Sequence, residues 1–413
     1  MHTETGSLAV YEHSRPTLTR LLDRARRNVL LLACCQALLL TNAVTLIAIG
    51  ALAGYELAPA KWLATLPSFT YIVGAAAATI PASFWMRRVG RRAGFLTGGA
   101  IGLAGAVLAT AGMAASSFAL LCAGSLLLGI YNAFGAFYRF AAADVAPADF
   151  KAKAISYVLA GGLVGGIVGP ELSKLTVDLV QPRFLASYAS LFLYGAIAMA
   201  ITSRLAFPEA KQEAAAEGAR PLAEIARQPT FVVAAACAAL GYGVMTLLMT
   251  ATPLAMGFCG HPYGAAAGVI AAHVVAMFAP SFFTGSLIQR FGVLPVIVAG
   301  VAIELACVGV ALSGEAVANF WWALVLLGLG WNFTYVGGTT LLTETYRPAE
   351  KAKVQGVNEL IVFGVQAVAS LSSGVLVNAA GWNILNLFAV PMLAAAGAAA
   401  LWLAARRRAA MPS

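Results

Sequence analysis

The chain is built from long apolar runs that carry almost no charge, the first of which reads NVLLLACCQALLLTNAVTLIAIGALAG over 28–54. A run of ~20 residues rising ~1.5 Å per residue crosses the ~30 Å hydrocarbon core of a bilayer. Hydrocarbon offers no water to backbone amides, so such a run must be helical. Further runs occupy 63–86, 94–115, 117–142, 154–176, 185–206, 230–252, 264–288, 294–313, 318–343, 355–379 and 383–404. The predicted fold is all-α, a polytopic membrane protein with twelve transmembrane helices. Composition agrees: 61% of the 413 residues are hydrophobic, 10% are charged and the mean hydropathy is +0.83. A soluble domain of this size needs far more charge on its surface.

The first 27 residues are polar and basic, and the run after them is too long for a signal peptide and lacks a small-residue cleavage site. It is expected to stay as helix 1. Six cysteines, at 34, 35, 122, 237, 259 and 307, fall mostly inside apolar runs and form no C-x-x-C pair or disulfide framework. With both termini cytoplasmic, 23 of the 26 basic residues fall on the inner side, leaving Lys61, Lys174 and Arg183 outside. The net charge of +9 therefore reports topology, and no nucleic-acid partner is expected.

The sequence also repeats. SFWMRRVGRR (83–92) after helix 2 is answered by GSLIQRFG (285–292) after helix 8, and PADFKAK (147–153) by PAEKAK (348–353). Asn132 and Asn332 hold matching places in helices 4 and 10. Two six-helix halves follow, 28–207 and 230–404, joined by a polar linker over 208–229 and flanked by cytoplasmic segments 1–27 and 405–413. Parallel halves around a central site are a common design of secondary transporters.

These features resemble the major facilitator superfamily, whose loop between helices 2 and 3 reads G-x-L-A-D-R-x-G-R-R. Ser83, Trp85, Arg87, Arg88, Gly90, Arg91 and Arg92 occupy that pattern, with Arg87 in place of the usual acid and Ser83 in place of the usual glycine. The second copy keeps Gly285, Leu287, Arg290 and Gly292, with Gln289 at the acidic position. The resemblance implies that both loops gate the cytoplasmic side. Helix 5 carries GGIVGP (165–170), similar to the family's glycine-proline motif and read here mainly as close helix packing.

Two spaced pairs point to a substrate. Met245 and Met249 are four apart on helix 7, and His273 and Met277 are four apart on helix 8, so each pair shares a helix face. Thioethers and neutral imidazole suit Cu(I), and an ionisable group inside a membrane helix is costly enough to suggest function. Packing is the plain alternative, because methionine fills irregular cores. The outer loop between the pairs adds Met256, Cys259 and His261 as an entry site. The paired motif resembles the CcoA-like copper importer group (CalT family) of the same superfamily. That resemblance implies import of copper, as Cu(I), as transported substrate with no resident cofactor. It also implies functional thiols at Cys237 and Cys259, a bacterial inner-membrane location, hand-over to cytoplasmic copper chaperones or oxidase assembly factors, and a monomer in the lipid bilayer. Close relatives are thought to carry riboflavin.

Asn132, Tyr131, Arg139, Asn332, Trp331 and Tyr335 form an aromatic and amide set on helices 4 and 10 that suits a planar organic solute better than a metal ion. Riboflavin or a similar small organic solute is accordingly the alternative substrate. Glu304, Glu359 and Glu171 are candidate proton-coupling acids. No P-loop, nucleophile elbow or dinucleotide fingerprint is present, so no enzyme is expected.

Overall fold

The computed structural model describes residues 6–147, 150–207, 220–347 and 350–409, and their regular structure is entirely helical. In chain order come α1 (Gly6–Leu57), α2 (Leu66–Val89), α3 (Arg91–Ala114), α4 (Phe118–Gly135), α5 (Tyr138–Val145), α6 (Lys151–Thr176) and α7 (Leu185–Thr202). They are followed by α8 (Leu222–Ala226), α9 (Pro229–Phe258), α10 (Tyr263–Phe278), α11 (Ser281–Phe291), α12 (Val293–Leu312), α13 (Val317–Leu342) and α14 (Lys351–Ala409).

Ten of these segments are long and apolar enough to cross a membrane, and α10 with α11, bent by 41° at their junction, makes an eleventh span. The longest, α14, is two helices meeting at Gly381, whose φ of 78° is non-helical. The expected helices 11 and 12 are its two parts, which brings the membrane-length segments among the described residues to twelve. The expected helix 4 is interrupted between Gly135 and Tyr138, and the expected helix 8 between Phe278 and Ser281. Pro280 accounts for the second break, since its ring removes a backbone donor and clashes with the preceding turn. Most of the 208–229 linker lies outside the described residues.

The repeat seen in the sequence is a backbone repeat. Gly90 joins α2 to α3 with φ 84° and ψ 162°, and Gly292 joins α11 to α12 with φ 89° and ψ 159°. Both sit where a side chain is strained, which is why both hairpins carry glycine. The first half packs α1 on α6 and α7, with α4 between α2 and α3; the second packs α9 on α13 and α14, and α12 on α13. In GGIVGP, a Cβ on Gly165 would lie 2.1 Å from the Ala37 carbonyl oxygen, and one on Gly166 would lie 2.4 Å from Val274 of the other half. The motif thus lets α6 touch α1 and α10 at once.

The halves meet through α6 with α10, α2 with α14, and α1 with α9. Side-chain contacts across the join run from mid-membrane to the face away from the termini. Ser173 and Tyr263 hydroxyls lie 2.6 Å apart, Thr65 reaches the Leu371 carbonyl at 3.5 Å, and the Tyr55 and Phe258 rings meet edge to face at 5.5 Å. On the face bearing the termini, α5 packs on α1 and α6, and α11 on α10, α12 and α13, each within its own half.

Candidate transport site

Met245, Met249, His273 and Met277 are all buried in the second half. α13 is the main neighbour of α10 and a major one of α9, so it stands largely between the helices that carry the two pairs. His273 approaches the Leu324 carbonyl oxygen through Nδ1 at 2.8 Å. A carbonyl only accepts, so Nδ1 carries the proton in this contact and the buried, unpartnered Nε2 is left with its lone pair. No group of three or more His, Cys, Asp or Glu side chains among the described residues is arranged to hold a metal ion. A copper site here would rest on this one imidazole nitrogen and on thioethers.

A second cluster lies deeper along the same helices. Trp331 and Tyr335, one turn apart on α13, stack with ring planes 11° apart and centroids 5.1 Å apart. Tyr242 of α9 stands edge-on to both, at 5.1 Å from each, and Phe278 at the end of α10 meets Trp331 at 6.1 Å. The Tyr335 hydroxyl donates to Glu359 of α14 at 3.4 Å. Trp331 Nε1 is buried with no acceptor, and on α14 the Gln366 amide nitrogen is buried without a partner. Unpaired buried donors are expensive unless something arrives to satisfy them. The cluster therefore combines flat apolar faces with unmet hydrogen-bonding capacity.

Helix geometry relates the two sets. Met245 lies three residues beyond Tyr242 on the same face of α9, and Leu324, the partner of His273, lies ~10 Å along α13 from Trp331 at ~1.5 Å per residue. Met245, Met249 and His273 lie between the aromatic cluster and the face away from the termini, whereas Met277, next to Phe278 and bonded through its carbonyl by Asn332, lies level with the cluster.

The remaining expected residues fall elsewhere. Asn332 spans the break between α10 and α11, donating to the Met277 carbonyl at 2.7 Å and to Ser281 at 2.6 Å while accepting from Thr284 at 2.6 Å. Its amide is fully occupied in holding that bend, whereas Asn132 on α4 is half-buried. Glu304 is buried between α12 and α13, accepts from Thr334 at 3.0 Å and leaves one oxygen unpartnered. Cys237 is buried and donates to the Ala396 carbonyl at 3.5 Å, and Met256 is fully buried. At the face away from the termini, Cys259 meets a Glu315 carboxyl oxygen at 3.5 Å and His261 Nε2 meets the Glu315 carbonyl at 2.7 Å. Partial burial, then the Glu315 hydrogen bond and charge, push the Cys259 thiol up, away from the thiolate that binds soft metals. Glu171 pairs with Lys174 at 2.6 Å.

In the gating hairpins, Arg91 pairs with Asp144 of α5 at 3.1 Å, so an acid on another helix meets this arginine where the loop itself has none. Arg88 and Arg92 are exposed, and Arg290 lies over Phe291 at 5.2 Å. Tyr242 and Phe278 of the cluster are not among the expected residues; Tyr242 shares a face with Met245, a faint signal in the sequence, and Phe278 gives none.

Comparison with known proteins follows the same lines. The family model described as Major Facilitator Superfamily matches residues 29–279 and 260–413. The riboflavin transporter RfnT of Brucella anthropi is 41% identical over 373 residues, covering 90% of this chain and 94% of that protein. The MFS-type transporter YddS of Bacillus subtilis is 29% identical over 359 residues, covering 83% and 82%. A bacterial homologue of the lysosomal transporter Spinster, solved inward-facing and occupied, superposes with a TM-score of 0.71 at 15% identity over 92% of this chain and 96% of that one. The copper importer subgroup finds no support in these relatives, and the superfamily does. With membrane-length apolar helices throughout, two repeated halves and matches along nearly its whole length, the chain belongs to the major facilitator superfamily and is a secondary transporter rather than an enzyme.

Proposed function

We propose that the protein imports riboflavin, or a solute with a similar flat heteroaromatic ring system, by alternating access of its two halves. The aromatic group of Tyr242, Trp331, Tyr335 and Phe278 carries this reading. A planar ring system offers two π-faces and a rim of hydrogen-bonding atoms, matching ring faces beside the unpaired Trp331 Nε1. The similarity to RfnT along nine-tenths of the chain supports the same solute. Met245, on the face of Tyr242, is then a soft packing surface for a flat ligand, a use in which sulfur and aromatic rings attract each other. Glu359, tied to Tyr335, is the acid best suited to couple proton movement to occupancy.

The positive charge bias argues for cytoplasmic termini in a bacterial inner membrane. On that topology, halves that touch from mid-membrane outward describe an inward-facing form. The copper reading keeps one observation in its favour, the free lone pair on buried His273 Nε2. Uptake of radiolabelled riboflavin and of radiolabelled copper, measured side by side in cells expressing the protein, separates the two. Saturable riboflavin uptake with copper at background supports the proposal; the reverse pattern overturns it.

A further inference from the structure

Away from the aromatic cluster, the first half carries a cavity of about 420 Å³ lined by Ala77, Pro81 and Trp85 of α2, Thr97 and Ile101 of α3, and Phe134 of α4. α2 and α3 leave the Gly90 hairpin and diverge, and α4, packed on both, forms the floor. Ala77, Pro81 and Trp85 follow one another at four-residue spacing and are exposed, so the groove is open along its length. Its walls are apolar apart from the Trp85 indole N–H, which donates to Thr97 at 3.1 Å. At membrane depth such a groove faces hydrocarbon.

One turn beyond Trp85 the chemistry changes. Arg87, Arg88 and Arg92 are exposed at the hairpin and have no ion-pair partner among the described residues, whereas Arg91 is taken by Asp144. Arg87 lies over the Phe84 ring at 4.6 Å, and Arg88 follows Trp85 by three residues on the groove-lining side of α2. An apolar slot about two turns long with three unpaired cations at its mouth complements an amphiphile with an acyl tail and an anionic head.

We propose that this groove is a binding site for an anionic phospholipid, with an acyl chain between α2 and α3 and its phosphate at Arg87, Arg88 and Arg92. Both parts of the ligand are needed. A neutral lipid would fill the slot without using the arginines, and a free anion would use the arginines without the slot. Because the hairpin is one of the two glycine joints of the repeat, lipid bound there holds α2 and α3 in a set relation at the face bearing the termini.

Trp85 reports on the groove directly. The full-length protein is placed in phosphatidylcholine nanodiscs containing a minor fraction of either brominated phosphatidylglycerol or brominated phosphatidylcholine, and the Trp85 component of fluorescence is taken as wild type minus Trp85→Phe. Basic residues beside a membrane attract anionic headgroups, so half-maximal quenching is expected at roughly fivefold lower mole fraction of the glycerol lipid. The preference is expected to vanish in an Arg87→Gln, Arg88→Gln, Arg92→Gln variant and to shrink for wild type in high salt. If the variant does not insert, the salt series on wild type decides alone. Equal quenching by the two lipids, or a preference indifferent to salt, overturns the proposal.

Discussion

Trp331 and Tyr335 stack almost in parallel one turn apart on α13, and Tyr242 closes them edge-on from α9. Two helices of one half thus bring flat ring faces together beside the buried Trp331 Nε1, which has no acceptor.

Removing a ring from the cluster should cost substrate binding, and because Trp331 is also buried in the core of the second half, thermal stability is measured on each variant alongside binding. Stacking of a base on an aromatic side chain is worth ~1–3 kcal/mol, so Trp331→Ala or Tyr335→Ala is expected to weaken riboflavin binding by roughly tenfold or more, and Trp331→Phe by less. Quenching of flavin fluorescence by purified protein measures this directly.

Met245, Met249 and His273 separate the two substrate readings. With riboflavin as solute, Met245→Leu and Met249→Leu keep apolar volume and are expected to leave uptake within about threefold of wild type. His273→Leu gives up the bond to the Leu324 carbonyl and is expected to lower thermal stability in detergent by about 1 kcal/mol with copper uptake unchanged from background. Copper uptake that falls in all three variants would favour the metal.

The contact between Thr65 and Gly374 provides a lock. A Cβ on Gly374 would meet the Thr65 hydroxyl oxygen at 2.4 Å, so a Thr65→Cys, Gly374→Cys pair is close enough to bridge. Oxidation is expected to abolish uptake and dithiothreitol to restore it. Uptake that survives full cross-linking, read as a mobility shift, would argue against opening of this face during transport.

Where the described chain resumes after the linker, Arg220 grips Glu350 through its backbone N–H and Nε, both 2.9 Å from Oε1, and through Nη2, 2.7 Å from Oε2; Lys353 Nζ donates to the Arg220 carbonyl. The Arg220 hydrogen bonds, then that from the Arg347 amide, hold the Glu350 carboxyl well below the ordinary carboxylate range. A depressed acid contributes stability above its unfolded pKa and loses it as pH falls through the folded one. Protease resistance of the linker is therefore expected to be flat from about pH 8 to 5 and to fall only under strong acid. Glu350→Gln should be cleaved faster throughout the flat range, and equal cleavage of variant and wild type would count against the clamp.

Much of the fold is legible in the sequence because hydrocarbon forces each long apolar run into a helix, and because Gly90 and Gly292 mark the same left-handed joint in each repeat. Breaks were harder to read. Pro280 is visible in the run 264–288, but whether it bends or ends a helix depends on Asn332, 52 positions on, bridging Met277 and Ser281. At the candidate site, spacing identified residues sharing a helix face without saying what the face looks at. Met245 and His273 stood out as unusual chemistry in an apolar stretch, while Tyr242 and Phe278 looked like ordinary membrane aromatics. The depth relation between the two sets emerged only with α13 in view, since it neighbours both α9 and α10.

The central claim is that the aromatic recess of the second half binds the transported solute. Titration of purified protein with riboflavin, followed by flavin fluorescence for wild type, Trp331→Ala and His273→Leu, tests it most directly. Saturable quenching is expected for wild type and His273→Leu, with at least about tenfold weaker binding for Trp331→Ala. Undiminished binding by a folded Trp331→Ala protein, or no flavin binding by wild type together with tight Cu(I) binding lost in His273→Leu, would contradict it.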